Sequence, residues 1–420
     1  MSRAASVPYR GVAERQLSAL AITPIQHVVI IFQENRTPDN LFQGLPGADI
    51  AKTAKDWQDH IVPLHPVSLG AHYDVGHSRH DFLRDYANGA MDGFDRGLRG
   101  RYHLLPFGYA PRSEVKPYLE MASQYVFADR MFQSNQGPSL PAHLYIVTGT
   151  ADAPEPYKVT DNPYDPHVHR GSVGGCDAPK DTLVATIDPT GGSPGPPVFP
   201  CFERPALSDF LDAKGVSWRY YEHRLGPGLW EAFDAIRHVR YGPDYANVVA
   251  PSTLILSDIA KHRLAGVAWV MPAAAYSDHA GPYATGKGPS WVAAIVNAIG
   301  ESSYWNSTAI FITWDDWGGW YDHVKPPIYN YGELGFRIPL IVVSPYAKRG
   351  YVSKVQHEFG SILAFTEEAF GIPKGSLETT DVRADDLRDA FDFHQRPRPF
   401  KDIPAPPFDP GPNTNLPDED

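Results

Sequence analysis

The chain has 420 residues, of which 42% are hydrophobic and 20% are charged, and this balance excludes intrinsic disorder over most of its length. A formal net charge of −12 at pH 7 argues against broad nucleic-acid binding, which requires a basic surface. The longest apolar runs are about six residues, against the ~20 that a membrane helix needs, so we expect no transmembrane segment.

Short apolar segments rich in β-branched residues alternate along the chain with helical patterns, which is typical of βα units. The predicted strands are 27–32, 125–130, 216–221, 266–271, 308–314 and 338–344. The predicted helices are 115–124, 140–148, 205–213, 290–300 and 357–370. We therefore expect an α/β fold with a mostly parallel central sheet.

The pattern predicts a single domain over 25–394, preceded by an extension over 1–24 in which no signal peptide is visible. Residues 151–204 are rich in Pro, Gly and Asp and are predicted to be a loop-rich insertion, which in a segment of this length often covers a site. The proline-rich residues 395–420 are expected to form a tail that is either extended on the surface or disordered.

The only two cysteines, Cys176 and Cys201, both lie in the insertion, and they lack the spacing of a zinc site. A disulfide between them would close a loop of about 26 residues and stabilise the fold by roughly 3 kcal/mol. Two unpaired thiols are the alternative. A disulfide favours a periplasmic or secreted protein.

Polar pairs follow three of the predicted strands at the point where each strand ends. The pairs are Glu34 with Asn35, Asp278 with His279, and Asp315 with Asp316. Because the carboxyl ends of parallel strands meet at one edge of a sheet, these side chains are expected to lie together. Carboxylates crowded there would repel one another without a cation, so the pattern predicts a hard divalent metal ion bound by oxygen ligands. Separate, solvated loops are the alternative.

A candidate nucleophile, Ser139, lies in the sequence QGPSLP at the start of a predicted helix. A hydroxyl at a helix N-terminus is close to free backbone N–H groups, which bind anions. Beside a metal ion, such a hydroxyl can ionise and attack phosphorus. An ordinary helix-capping serine is the alternative interpretation.

Several linked segments of the chain resemble a bacterial phosphoesterase family that includes phospholipase C and the respiratory-burst-inhibiting acid phosphatase. They occur in the same order and include HVVIIFQENRTPDNLF (27–42), His77 with MDGF (91–94), QGPSLPAHLYIVTGT (136–150), SDHAG (277–281), WDDWGGWYDHVKPP (314–327) and GFRIPLIVVSPYAKRGYV (335–352). The resemblance extends over roughly 25–373. It implies a fold similar to the alkaline phosphatase superfamily, a three-layer αβα sandwich with a mostly parallel central sheet.

The resemblance also implies roles for individual residues and a single divalent metal ion as cofactor. Ser139 would be the nucleophile. The residues implied around the metal are Glu34, Asn35, Asp315 and Asp316. His77 and His279 would face the phosphoryl group, with His279 as the acid for the leaving group. Asn35 would stabilise the charge on the phosphoryl group, and Asp278 would be a further substrate-binding residue.

Two departures from the phospholipase C branch bear on the substrate. That branch typically has Thr at the position of Ser139, and many of its members carry additional C-terminal β domains. The resemblance therefore implies a phosphomonoesterase of the acid phosphatase type that acts through a phosphoserine. A phospholipase C acting on head-group phosphodiesters is the alternative, and a non-catalytic phosphate-ligand binder is a second one. Neither the metal's identity nor the oligomeric state follows from the sequence.

Overall fold

Eight strands form one sheet in the computed structural model, which describes residues 23–72, 74–167, 170–171, 173–411 and 418. The strands are β1 (His27–Gln33), β2 (Val126–Ala128), β3 (Trp218–Tyr221), β4 (Val248–Val249), β5 (Val267–Val270), β6 (Thr308–Trp314), β7 (Leu340–Val343) and β8 (Tyr351–Ser353). Their order is β4-β3-β5-β1-β6-β7-β2-β8, and only β7 pairs antiparallel with its neighbours. The predicted mostly parallel sheet is confirmed.

Helices pack in two groups around the sheet, as an αβα sandwich requires. They are α1 (Pro38–Leu41), α2 (Arg79–Tyr86), α3 (Lys116–Gln124), α4 (Ser139–Thr148), α5 (Leu207–Ala213), α6 (Arg237–Tyr241), α7 (Leu254–Ala260), α8 (Gly288–Gly300), α9 (Phe359–Ala369) and α10 (Thr380–Arg383). One group contains α4, α5 and α9, and the other contains α3, α7 and α8. Among the described residues, no helix has both the length and the apolar character that crossing a bilayer requires.

Four small β pairs lie outside the sheet. They are Thr53–Lys55 with Ile61–Pro63, His65–Pro66 with Gly108–Tyr109, Lys158–Val159 with Thr186–Ile187, and Tyr164–Asp165 with Arg170–Gly171. The last two pairs belong to the predicted insertion over 151–204. That segment therefore contains some short strands in addition to loops.

Two elements at the centre of the fold are buried along almost their whole length. β1 (HVVIIFQ) pairs with β5 on one side and β6 on the other, so it shows no polar alternation. All ten residues of α4 are buried, which is the pattern of a helix enclosed on every side. Because these elements are central, the residues that follow β1 and begin α4 are held deep in the protein.

The predicted element boundaries agree with the structure to within a few residues, but the sheet strands β4 and β8 and the helices α1, α2, α6, α7 and α10 were not predicted. β4 has two residues and β8 has three, which is too short for a clear periodic pattern. The helix α2 begins with a capping box in which Ser78 and Asp81 bond each other's backbone N–H groups. That capping signal is visible in the sequence and could have predicted α2.

The insertion and the tail are both attached to the body of the protein. The predicted disulfide Cys176–Cys201 is present. The Asn297 side chain exchanges two hydrogen bonds with the backbone of Ile403, at 3.0 and 2.9 Å, so the tail is held against α8 at this residue. Residues 412–417 and 419–420 of the predicted tail, like 1–22 of the predicted extension, lie outside the described residues.

A buried ion-pair network ties α1 to the segment that follows β6. The Arg337 guanidinium donates two hydrogen bonds to Asp322, at 2.8 and 2.9 Å, and approaches Asp39 at 3.5 Å. His323 lies 2.8 Å from Asp39 and 3.0 Å from Asp49. Burial opposes the charged imidazolium, but the hydrogen bond and charge of Asp39 outweigh it and raise the pKa of His323 to about 9.

This pKa predicts a specific dependence of stability on pH. Because the folded-state value lies above the ordinary 6.5, the stabilisation from His323 is complete below pH 6.5 and is lost as pH rises through about 9. We expect the difference in Tm between the wild type and His323→Gln to shrink by about 2 °C or more between pH 6.5 and 9.5. Scanning calorimetry measures it, with His394→Gln at an exposed histidine as the control. A constant difference would contradict the prediction.

Candidate active site

The strands β1 and β6 end side by side and bring their following residues together. The Asp315 N–H donates to the Gln33 carbonyl at 3.0 Å, and the Asn35 N–H donates to Asp315 Oδ1 at 2.8 Å. Glu34, Asn35 and Asp315 are all buried. The convergence expected from the order of the strands is therefore present for these residues.

Three buried side chains in this region could share one cation. Glu34, His143 and Asp315 each offer a ligand atom, and these atoms lie within 4.8 Å of one another. His143 Nε2 is 3.2 Å from Glu34 Oε1. Burial, followed by the negative charge of Asp315, raises the pKa of Glu34 well above its usual range. A cation among these groups would stabilise the charged carboxylates, and it would thereby offset both the burial and the repulsion by Asp315.

Two further oxygens indicate what kind of cation fits. Asn35 Oδ1 and Asp315 Oδ2 are buried, and neither has a hydrogen-bond donor among the described residues. A buried polar atom without a partner is costly, whereas a carboxylate and an amide oxygen are preferred ligands of hard divalent ions. The residues therefore fit the predicted divalent metal ion.

The loop after β6 closes tightly over Asn35. Asp316 Oδ1 accepts the Gly318 N–H at 2.7 Å, and the charge of Asp316 also contributes to the raised pKa of Glu34. Gly318 has a φ of 60°, and a Cβ on it would lie 2.6 Å from the Cβ of Asn35. Only glycine allows this approach, which places Asp316 near the acidic cluster.

Ser139 lies at this cluster. It is the first residue of α4, is fully buried, and its Oγ donates to Glu34 Oε2 at 3.4 Å. A Cβ on Gly137 would lie 2.1 Å from the Thr160 carbonyl oxygen, so glycine lets the insertion pack against this turn. The structure thus brings the predicted nucleophile into contact with Glu34, one of the predicted metal-binding residues.

His77 is held in one tautomer by its backbone contact. Its Nδ1 lies 2.9 Å from the Val75 carbonyl oxygen, which only accepts hydrogen bonds, so Nδ1 carries a proton. Its Nε2 lies 3.1 Å from Asn35 Nδ2 and accepts from that amide when the ring is neutral. Because the amide nitrogen of Asn35 faces His77, its Oδ1 points away from the His77 ring. His77 therefore lies beside the cluster and orients Asn35.

The two residues predicted after β5 have different surroundings. The His279 ring lies 5.6 Å from the His77 ring, so His279 is near the cluster. The Asp278 carboxylate instead accepts from Tyr118 Oη at 2.8 Å and from Trp314 Nε1 at 3.0 Å. Burial raises the pKa of Asp278 to about 6. The Asp278 carboxylate thus bonds two core aromatic residues through Oδ2, and its predicted substrate-binding role stays a prediction.

A cavity of about 850 Å³ lies next to His77 and reaches the residue that precedes α4. Its other walls include Asp74, Ser78, Pro138, Asp161, Asn162, Tyr164, Leu229 and Asp418. Residues 161–164 belong to the insertion, which therefore borders the cavity. A larger surface cavity of about 1100 Å³ lies between residues 68–72, residues 282–287 and the tail, and contains none of the predicted site residues.

Three residues near the site were not predicted from the sequence. His143 follows Ser139 by four residues on α4, so the spacing of a helical face could have identified it. His223 Nε2 lies 3.3 Å from Asp418 Oδ1, and Asp418 Oδ2 accepts the Leu229 N–H at 2.5 Å. No sequence signal connects His223 with Asp418, since they are far apart in the chain.

A family model and two curated relatives match this chain over most of its length. The Phosphoesterase family matches residues 25–373 of the chain. The chain is 24% identical to a non-hemolytic phospholipase C of Pseudomonas aeruginosa over 439 residues, covering 90% of this chain and 59% of the relative. It is 24% identical to phospholipase C A of Mycobacterium tuberculosis over 452 residues, covering 90% and 79%. The chain thus spans only part of the length of these relatives.

The solved structures that match this chain resemble it only distantly. An alkaline phosphatase superfamily protein from Vibrio parahaemolyticus has a TM-score of 0.41 and 11% identity, covering 87% of this chain and 71% of that chain. A phosphonate monoester hydrolase from Silicibacter pomeroyi has a TM-score of 0.34 and 12% identity, covering 77% and 75%.

Proposed function

Because the chain belongs to the Phosphoesterase family, we propose that it hydrolyses phosphodiesters of phospholipid head groups, as a phospholipase C. The contact of Ser139 Oγ with Glu34 Oε2, beside Asp315, is the observation that carries the hydrolytic role. The similarity to phospholipases C of two organisms supports the phospholipid substrate. This similarity favours a phospholipase C over the acid phosphatase expected from the sequence. The acid phosphatase stays as the second candidate, because Ser139 stands where the phospholipase C branch typically has Thr.

The proposed reaction has two steps. Ser139 gives up its hydroxyl proton toward Glu34 Oε2, its hydrogen-bond acceptor, and Oγ attacks phosphorus as the bond to the lipid alcohol breaks. His279 gives a proton to the departing alcohol. Water then gives a proton to His279 and attacks phosphorus, and the bond to Ser139 breaks. Ser139 takes its proton back from Glu34 as the phosphorylated head group leaves.

The polar residues around Ser139 have separate parts in this proposal. Glu34, Asn35 and Asp315 would hold one divalent metal ion, with Asp316 as the remaining predicted ligand. When bound, that ion would neutralise negative charge on the phosphoryl oxygens and on the serine oxygen. His77 holds the Asn35 amide in place through its Nε2.

Two chromogenic substrates separate the candidate functions. We expect kcat/KM for an aryl phosphorylcholine to exceed that for the matching aryl phosphate by about tenfold or more, because a diester enzyme uses contacts to the second substituent. The measurement is steady-state release of the aryl alcohol under identical conditions. A preference for the aryl phosphate would instead support the acid phosphatase. No turnover of either substrate, with the metal supplied, would refute both and favour the non-catalytic binder.

The location of the protein is part of the proposal. The Cys176–Cys201 disulfide supports a periplasmic or secreted protein, because disulfides persist in oxidising compartments. A phospholipid substrate is consistent with that location. Fractionation of the native host, with blotting of each fraction, tests it.

A further inference from the structure

One part of the surface combines exposed apolar side chains with arginines. It consists of the hairpin 53–63 and the segment 96–104, and we call it the docking face. Its exposed apolar side chains are Trp57 (45% exposed), Ile61 (66%), Tyr102 (41%) and Leu104 (41%). Exposed side chains of this size usually occur singly, so four of them in two adjoining segments are unusual for a surface that stays in water.

Asp95 joins the two segments of the docking face. It is fully buried, its Oδ1 accepts the Trp57 N–H at 3.0 Å, and its Oδ2 lies 3.0 Å from His103 Nε2. The Trp57 backbone N–H and the His103 ring therefore contact different oxygens of the Asp95 carboxylate. Tyr102 and Leu104 flank His103 in the chain, so Asp95 places the segment of Tyr102 and Leu104 beside that of Trp57.

The charge of the docking face differs from that of the chain as a whole. The whole chain has a net charge of −12, whereas residues 96–104 contain three arginines and no acidic residue. The hairpin adds Lys55, Asp56 and Asp59, so the docking face as a whole is net positive. The side chains of Arg96 and Arg99 are exposed. This face therefore suits a partner that carries negative charge next to an apolar phase.

The docking face rests on a small hydrophobic cluster that extends to the candidate active site. Ala54 and Val62 of the hairpin and Phe94 pack in this cluster together with Trp317. The Trp317 ring lies edge-on to the His77 ring at 6.2 Å. A single layer of packed side chains thus connects the docking face with the site, and it holds the face in a defined position.

We propose that the docking face binds the surface of an anionic phospholipid bilayer. Trp and Tyr side chains settle at the boundary between head groups and acyl chains, aliphatic side chains enter the acyl region, and arginines pair with anionic head groups. The exposed aliphatic residues Ile61 and Leu104 disfavour a nucleic acid, which offers no apolar phase to receive them. The proposal deepens the proposed function, because a bilayer is where a phospholipid substrate is found.

The test is co-sedimentation of the full chain with vesicles, which does not depend on catalysis. Vesicles of phosphatidylcholine with a quarter phosphatidylglycerol are compared with vesicles of phosphatidylcholine alone. We expect the wild type to bind the anionic vesicles more tightly, and we expect the Trp57→Ala/Leu104→Ala and Arg96→Glu/Arg99→Glu variants each to bind about tenfold more weakly. Absence of wild-type binding to anionic vesicles would overturn the proposal.

Matched controls lie on other parts of the surface. Tyr241 and Leu254 are also exposed, at 63% and 37%, so Tyr241→Ala/Leu254→Ala removes similar apolar area. Lys214→Glu/Lys261→Glu makes the same change in charge at exposed positions. Both controls should bind vesicles like the wild type. Equal weakening in the controls and the docking-face variants would show a general effect of charge or stability and would also overturn the proposal.

Two further results keep this inference separate from the proposed function. Hydrolysis of a soluble aryl ester should be unchanged in the docking-face variants, since they leave the candidate site intact. If the wild type binds vesicles but hydrolyses neither aryl substrate, the proposed function fails and the docking face stands. If Trp57→Ala/Leu104→Ala binds vesicles normally and only the arginine variant loses binding to vesicles and to heparin, the partner is an anionic polymer and the lipid assignment fails.

Discussion

Ser139→Ala is expected to lower kcat for the preferred aryl ester by at least about 10³-fold, because the attacking oxygen is removed. The fold should be unchanged, since alanine is smaller than serine and the residue lies in the first turn of α4. Steady-state kinetics measure the loss, and thermal unfolding checks the fold. Residual turnover close to that of the wild type would remove Ser139 from the role of nucleophile.

Ser208→Ala is the matched control for this experiment. Ser208 is also a buried serine near the start of a helix, and its Oγ has no hydrogen-bond partner among the described residues. Its replacement should leave kcat within about twofold of the wild type, as it touches none of the proposed site residues. A similar loss in both variants would show that the Ser139 effect is structural.

Asp315→Asn is expected to weaken metal binding by about 100-fold, the upper end of the effect seen when groups that support a metal site are removed. The carboxylate offers one oxygen to the Asn35 N–H, and its other oxygen has no donor among the described residues. An amide replaces one negatively charged oxygen with an N–H₂ group, which cannot bind a cation. Elemental analysis after dialysis measures the ion content, and turnover should fall with it.

Asp85→Asn provides a control within the same region. Asp85 is fully buried and accepts from Trp317 Nε1 at 3.1 Å, and burial raises its pKa to about 8. Asparagine has nearly the same size and keeps an oxygen that can accept from Trp317 Nε1 or from Arg84, which bonds Asp85 Oδ1 at 2.9 Å. The metal content should be that of the wild type. An unchanged metal content in Asp315→Asn would contradict the assignment of Asp315 as a ligand.

Much of the site follows from the sequence because the signals are local. The buried run 27–32 and the buried run 308–314 each end in polar residues, and in a parallel sheet such ends lie at the same edge. Glu34, Asn35 and Asp315 accordingly meet in the structure. Ser139 follows a Gly-Pro turn at a helix start, and it lies where its hydroxyl contacts Glu34.

The sequence does not determine the direction in which the side chains at the site point. Asp278 follows a buried strand just as Asp315 does, but its carboxylate bonds Tyr118 and Trp314 in the core. His143 was not predicted, because a histidine in the middle of an apolar helix is usually a core residue. Its position opposite Glu34 depends on how α4 packs against β1.

Taken alone, the sequence determines the longer strands and helices, which polar residues follow the central strands, and which two cysteines are available to pair. These are consequences of hydrophobic periodicity and of residue type, which act over a few neighbouring residues. Only the tertiary structure decides that His143 lies beside Glu34, that Asp278 bonds core aromatic residues, and that Asp95 joins the segments of Trp57 and His103. Such contacts join residues far apart in the chain, and the packing of whole elements sets their geometry.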